Sequence, residues 1–258
     1  MKFSILGSGS AGNSTYIDTC DNRFLIDAGF SAKKIEERLS IIGVETSTLS
    51  AILITHEHGD HILGAGVLSR KYKIPIYITQ KSYEVAKKRL GKIDEHLIKY
   101  IERTFYLSEH THITPFDVMH DAIQTIGFNV QDRQESKLSI ATDIGYATNV
   151  VKECFRNSDA IIIESNYDPE MLLTGPYPWD VKERVKSKRG HFSNECSAKF
   201  IESVYTKNLR EIFLAHISKD NNTHRLAHKT VTEYLQSVGI NQEIKVSVQD
   251  IATNLVEI

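Results

Sequence analysis

The segment Thr55-His56-Glu57-His58-Gly59-Asp60-His61 constrains this chain more than any other stretch. It follows a short apolar run, Ala51-Ile52-Leu53-Ile54, which reads as a buried strand, and it leads into residues 62–68, which read as a helix packed on the sheet. Three imidazoles and a carboxylate therefore crowd a tight turn at a strand end, where rigid scaffolds commonly carry chemistry. A solvated turn has no use for that set. Neutral imidazole nitrogens and carboxylate oxygens are what zinc, manganese and iron accept. In extended backbone His56 and His58 face one side, because side chains repeat every two residues. Asp60 and His61 lie where the chain turns into the helix and face elsewhere. One turn thus offers ligands to two neighbouring metals.

The same strand-then-ligand order recurs at Val118 before His120, Ala141 before Asp143 and Leu214 before His216. Strands are predicted over residues 2–6, 14–18, 23–27, 74–79, two within 104–120, then 125–130, 137–141, 159–164, 210–215 and 243–248. Helices are predicted over 31–42, with Ser31 as N-cap, and over 81–90, 149–156, 180–187, 193–205 and 222–238. This alternation gives a layered α/β fold. His110 and His112 flank a turn and fit no ligand pattern. Lys87, Lys88 and Arg89 read as a solvated helix face.

Taken in order, H-x-H-x-D-H at 56–61, Met119-His120-Asp121, Ala141-Thr142-Asp143-Ile144-Gly145 and Leu214-Ala215-His216-Ile217-Ser218 resemble the motifs of the metallo-β-lactamase fold superfamily. The stretches LGSGSAGNS at 6–14, GPYPW at 175–179, GHFSNE at 190–195 and SKDNN at 218–222 narrow the resemblance to the YycJ/WalJ/VicX-type group of bacterial metallo-hydrolases. It spans essentially the whole chain. The fold it implies is a four-layer αββα sandwich.

The resemblance also implies roles. His56, His58 and His120 hold one divalent metal, Asp60, His61 and His216 hold a second, and Asp143 bridges them. The ions are zinc, manganese or iron. Asp27 orients the metal-binding histidines from behind. His191 resembles an extra histidine of the tRNase Z and RNase J branches that assists at the scissile phosphate, and Glu164 stands where a glutamate pairs with it. Asp60, His191 and Glu164 are thus the catalytic candidates. The implied activity is that of a dinuclear-metal phosphodiesterase using metal-activated water, a 5′-to-3′ DNA exonuclease with a role in DNA repair. The alternative is a small-molecule hydrolase, either a glyoxalase II-like thioesterase or a small phosphodiesterase. His191 and the basic cluster around 182–189 favour the nuclease.

Candidate substrate contacts are Ser10 and Asn13 in the Gly/Ser loop, Lys182, Arg184, Lys188 and Arg189 in the basic cluster, and Ser218 and Asn222 after the last ligand. The Gly/Ser loop lacks a Walker ending, so it is either a tight inter-strand turn or a rim loop offering N–H groups to phosphate.

A chain of 258 residues suits one domain over 1–258. The first residues turn into the Gly/Ser loop too early for a signal peptide, and no apolar run approaches a membrane span. Cys20, Cys154 and Cys196 are widely spaced and form no CxxC pair, so reduced, mostly buried thiols in a cytoplasmic protein are expected. A net charge of −2 supplies no general basic footprint, so a nucleic-acid substrate must be met by a local patch.

Overall fold

The architecture follows from where each strand hides its apolar side chains. The computed structural model describes residues 1–19 and 21–258; Cys20 lies outside the described residues. The chain opens with an antiparallel meander of β1 (Lys2–Gly7), β2 (Ser14–Asp18) and β3 (Arg23–Ile26). Helix α1 (Ala32–Ile41) then crosses to β4 (Ala51–Leu53), which lies parallel to β3. The helices α2 (Gly59–Ile62) and α3 (Ala65–Tyr72) lead to β5 (Ile76–Ile78), and α4 (Gln80–Leu90) leads to β6 (Ile98–Tyr100), both parallel additions.

The second sheet begins with antiparallel β7 (Phe105–Ser108), β8 (Thr111–Val118), β9 (Thr125–Gln131) and β10 (Lys137–Ala141). After α5 (Asn149–Phe155) comes β11 (Ala160–Glu164), parallel to β10. The helices α6 (Pro169–Thr174), α7 (Trp179–Lys186) and α8 (Asn194–Val204) precede β12 (Glu211–Ala215), and α9 (His224–Ser237) precedes β13 (Ile244–Val246). Finally β14 (Val256–Glu257) returns to the edge of β1. Among the described residues each sheet has seven strands.

Three apolar layers hold these pieces together. Phe3, Ile17, Phe24 and Leu53 meet Phe128, Leu138, Ile162 and Phe213 between the sheets. Leu25, Ile52 and Ile76 are covered by Ile35, Leu39, Leu68 and Leu90 of α1, α3 and α4. Ile161, Ile163 and Leu214 are covered by Val151, Phe155, Ile201, Val231 and Leu235 of α5, α8 and α9. Strands buried on both faces explain the continuous apolar runs at 160–163 and 212–215. The result is the expected αββα sandwich.

Some local expectations need correction. The single helix after the histidine turn is two, α2 and α3, broken at Leu63 and Gly64. Strands β6 and β14 and helix α6 were not predicted, because elements of two to six residues carry too little periodicity to read. Cys154 is half-buried and Cys196 is exposed, so the described thiols are free but not core residues. No described helix is long and apolar enough to cross a membrane.

Candidate metal centre

The strands that carry the candidate ligands end at one edge of the two sheets. His56 follows β4 and His120 follows β8, while Asp143, Glu164 and His216 sit at the carboxyl ends of the adjacent parallel strands β10, β11 and β12. Parallel pairing forces those three ends to the same side. Asp27, Asp143 and His216 turn there through left-handed backbone, with φ of 61°, 56° and 55°. Non-glycine residues in that region cost about 1–3 kcal/mol each, and such strain concentrates at functional sites.

The side chains converge as predicted. His56, His58 and His120 bring a ring nitrogen each within 4.8 Å of one another, and so do the ligating atoms of Asp60, His61 and His216. Asp143 reaches both sets: Oδ2 lies 3.0 Å from Nε2 of His61, and Oδ1 lies 3.6 Å from Nε2 of His120 and 3.6 Å from Nδ1 of His216. The imidazoles share an orientation. His56 is bonded through Nδ1 to the Thr55 hydroxyl at 3.0 Å, His61 to Asp27 Oδ2 at 2.8 Å, His120 to the Gly190 carbonyl at 3.1 Å, and His216 to Glu164 Oε1 at 2.5 Å. Each therefore keeps Nε2 for the centre of the cluster, the arrangement that metal-ligating histidines usually have.

Charge makes the same point. Burial and the neighbouring imidazole of His61 hold His56 well below the usual imidazole range, which leaves it a neutral donor. Burial opposes charge on His61 and His216, but Asp27, Asp143 and Asp60 around the one, and Asp143, Asp60 and Glu164 around the other, pull both well above that range. Burial works against ionisation of Asp143 too, yet His216 and His61 hold it well below the carboxylate range. The pocket of Asp27, Asp60, Asp143 and Glu164 thus demands positive charge at its centre. Nε2 of His56 and Nε2 of His216 are buried without a hydrogen-bond partner. A cluster of imidazole and carboxylate ligands with unpartnered lone pairs is fitted to hold metal ions.

Asp27 does not cap a helix; Ser31 caps α1. Its Oδ1 instead accepts the Thr55 backbone N–H at 2.9 Å while Oδ2 holds His61. Glu164 is fully buried and saturated. Oε1 accepts from His191 Nδ1 at 2.9 Å and from His216, and Oε2 accepts from the backbone N–H groups of Ile144 at 2.9 Å and Phe192 at 3.1 Å. Burial pushes its pKa up, but His191 and the hydrogen bonds from His191 and His216 bring it down to about 2. Asp60 is also held below the carboxylate range, His61 outweighing burial.

The substrate contacts divide. Asn13 and Asn222 need correction: both are buried and occupied. Asn13 Nδ2 approaches Nε2 of His61 at 3.1 Å and Asp60 Oδ2 at 3.4 Å, and its Oδ1 accepts from Ser8 Oγ at 2.8 Å. Ser8 Oγ in turn accepts the His216 backbone N–H at 2.9 Å. The Gly/Ser loop thus braces the candidate ligands, with the N–H groups of Ser8, Gly9, Ala11, Gly12 and Asn13 bonded within the protein, and Ser10 is exposed at its tip. Asn222 Nδ2 bonds the carbonyls of Ser165 and Asn166 and the side chain of Asn194. Ser218 is buried and accepts from the Asn221 N–H. Lys182 is tied to the Leu173 carbonyl at 2.7 Å. Arg184 pairs with Asp121, which lies 3.1 Å from His120 Nε2. Lys188 lies over the ring of Tyr146, and Arg189 is exposed.

Thr55, Asp121, Asn166 and the Gly190 carbonyl were not assigned roles from sequence. A carbonyl and a hydroxyl that act only through distant partners leave no pattern in a single chain. His110 and His112 stay outside the cluster, His112 stacking on Tyr106 at 4.8 Å.

Residues 22–217 match the beta-lactamase superfamily domain. The chain belongs to the beta-lactamase superfamily. Within it, the chain is 38% identical over 268 residues to the exodeoxyribonuclease WalJ of Streptococcus pneumoniae, covering 100% of this chain and 98% of that one. It is 38% identical over 243 residues to the exodeoxyribonuclease YycJ of Bacillus anthracis, covering 93% and 90%. Among solved structures, the metallo-beta-lactamase fold protein YhfI of Bacillus subtilis superposes with a TM-score of 0.74 at 16% identity, covering 98% of each chain. The narrower group read from the sequence motifs is thus the right one.

Proposed function

We propose that residues 1–258 form one catalytic domain, a dinuclear-metal phosphodiesterase that removes nucleotides from DNA in the 5′-to-3′ direction. The observation that carries this reading is the His191–Glu164 pair, set against the ligand cluster by ring-centroid distances of 5.1 Å to His120 and 5.3 Å to His216. A hydrolase of thioesters has no need of a buried carboxylate-backed imidazole at that place. The names of the WalJ and YycJ relatives support the DNA substrate.

His56, His58 and His120 would hold one divalent ion and Asp60, His61 and His216 the other, with Asp143 between them; zinc, manganese and iron all accept this donor set. When bound, such ions supply an activated water nucleophile and Lewis acidity at the phosphoryl oxygens. Asp27 and Glu164 fix the imidazoles of His61 and His216. Burial disfavours the imidazolium of His191, but Glu164 outweighs it and raises the pKa. His191 then carries the proton that the departing oxygen needs, a task suited to imidazole near neutral pH. Tyr146 is exposed three residues beyond Asp143, with its backbone bridged to Met119 beside His120, and offers a face on which a base can stack. A role in DNA repair and a cytoplasmic setting accord with this substrate and with free thiols at Cys154 and Cys196.

The test is a nuclease assay on end-labelled substrates. Protein stripped of metal and reloaded with manganese or zinc is given single- and double-stranded DNA and RNA beside a thioester and bis-p-nitrophenyl phosphate. Stepwise release of mononucleotides from 5′ ends of DNA is expected. Turnover of the small esters alone would remove the nuclease reading.

A further inference from the structure

The sequence suggested a solvated face for Lys87, Lys88 and Arg89 on α4, and the structure separates the three. Lys87 is paired with Glu84 at 2.5 Å. Lys88 and Arg89 instead line an open cleft of about 680 Å³ whose other wall includes His58, Asp60 and Arg184. Neither Lys88 nor Arg89 has an ion-pair or hydrogen-bond partner for its side chain among the described residues, whereas Arg184, which lines the same cleft, is paired with Asp121. Arg89 reaches across to the histidine turn, its guanidinium lying against Gly59 at the rim of the candidate ligand cluster.

Arg184 faces this pair from α7. Its guanidinium is held by Asp121, the neighbour of His120, so it approaches the cleft from the His120 side. Two carboxylates also line the cleft: Asp60, a proposed metal ligand, and Glu57, whose Oε1 accepts the Ile123 N–H at 2.8 Å and so is turned to that loop. The cleft is thus lined by cations from two helices, α4 and α7, together with the proposed metal ligands His58 and Asp60.

We infer that Lys88 and Arg89, with Arg184 opposite, form a binding site for backbone phosphates of a polynucleotide strand outside the scissile position. This rests on the phosphodiesterase reading and deepens it. A substrate with a single phosphate at the cluster cannot reach this wall, but a strand with successive phosphates can. The overall charge of −2 leaves such a local patch as the means of gripping a polyanion. Phosphate contacts of this kind fix position without reading sequence. The site is accordingly expected to take DNA and RNA strands alike.

The experiment measures binding apart from turnover. Protein as purified is titrated with fluorescent phosphorothioate oligonucleotides, DNA and 2′-O-methyl RNA, at several salt concentrations. In the Lys88→Ala/Arg89→Ala protein the slope of log affinity against log salt is expected to fall by about 1.4, at about 0.7 per lost single-strand contact. Affinity at low salt falls about tenfold or more, Arg89→Lys recovers part of it, and Lys87→Ala leaves it unchanged. In parallel, the specificity constant for an oligonucleotide relative to bis-p-nitrophenyl phosphate drops about tenfold in the double variant. Wild-type affinity and slope in the double variant would overturn the inference while leaving the nuclease reading intact. Salt-dependent binding lost in the variant, with turnover of small esters only in the wild type, would keep the wall and remove the nuclease reading.

Discussion

Nδ1 of His191 lies 2.9 Å from Oε1 of Glu164, and that same oxygen holds Nδ1 of His216 at 2.5 Å. One buried carboxylate thus orients both the proposed proton donor and a proposed metal ligand. The two histidines are 25 positions apart in the chain and meet because Glu164 ends β11 beside β12, which leads to His216, while the stretch after His191 is bonded to the turn after β11, the Asn166 N–H donating to the Phe192 carbonyl.

The shared carboxylate separates two variants. His191→Ala removes the proton donor and leaves Glu164 on His216, so kcat should fall about 10²- to 10⁴-fold with metal content unchanged. Glu164→Gln loosens both imidazoles, so metal affinity should fall as well, by about 10- to 100-fold. Steady-state kinetics beside chelator competition for the metal distinguishes them. Equal metal loss in both variants would contradict the assignment of His191 outside the ligand set.

Asp27 permits a sharper test of a carboxylate behind a ligand. It sits at φ 61° and accepts from both the Thr55 N–H and His61. Asparagine tolerates left-handed backbone and keeps an oxygen, so Asp27→Asn should fold. It cannot compensate the His61 imidazole, and metal affinity should fall about 10- to 100-fold. Metal content after dialysis against a graded chelator series is the readout; undiminished content would show that the Thr55 hydroxyl, 3.2 Å from Nδ1 of His61, suffices to orient it.

The clustering of the candidate ligands and the layered fold were legible because both rest on local patterns. H-x-H-x-D-H needs only six consecutive residues, and His120, Asp143 and His216 each follow an apolar strand that periodicity exposes. The bracing by the Gly/Ser loop was not legible: Asn13 and Ser8 stand in a stretch that read either as a tight inter-strand turn or as a rim loop, yet they hold His61 and His216 across long chain separations. Asn222 read as a substrate contact and is a buried strut for the turns after β11. Nor did the sequence mark Asp143 and His216 as left-handed, since no glycine stands there. Lys88 and Arg89 have the pattern of any solvated helix face, because only the tertiary fold sets the arginine against Gly59 of the histidine turn.

Metal removal should be visible without any substrate. Buried carboxylates at Asp27, Asp143 and Glu164 surround the cluster, and imidazole lone pairs on His56 and His216 lack partners. A bound ion stabilises the folded chain by RT ln(1 + [L]/Kd), about 2.7 kcal/mol at a hundredfold excess over Kd. Chelation should therefore lower Tm by several degrees, and manganese or zinc should restore it. Differential scanning calorimetry checks this; a Tm indifferent to chelator and to both metals would speak against a metal centre.

Gly29 is where the site is most vulnerable to a small change. Its N–H bonds the Asn13 carbonyl at 2.9 Å, the Asn13 N–H bonds the Asp60 carbonyl at 2.8 Å, and the Ala28 N–H bonds the His61 carbonyl at 2.8 Å. The backbone of 28–29 is thus laced directly to the metal turn. A Cβ at Gly29 would overlap the Asp60 carbonyl, which is backbone and cannot swing aside. Gly29→Ala must push the turn away, at about 1–3 kcal/mol or more. Asp60 and His61 move with it. The expected outcome is lower Tm together with metal binding lost at least tenfold. Gly43→Ala is the matched control: nothing lies within 4 Å of its Cβ position, and only its φ of +75° opposes the change. It should lower Tm without altering metal affinity. If the two variants lose stability alike and both retain metal, the packing of Gly29 against Asp60 does not position the ligands.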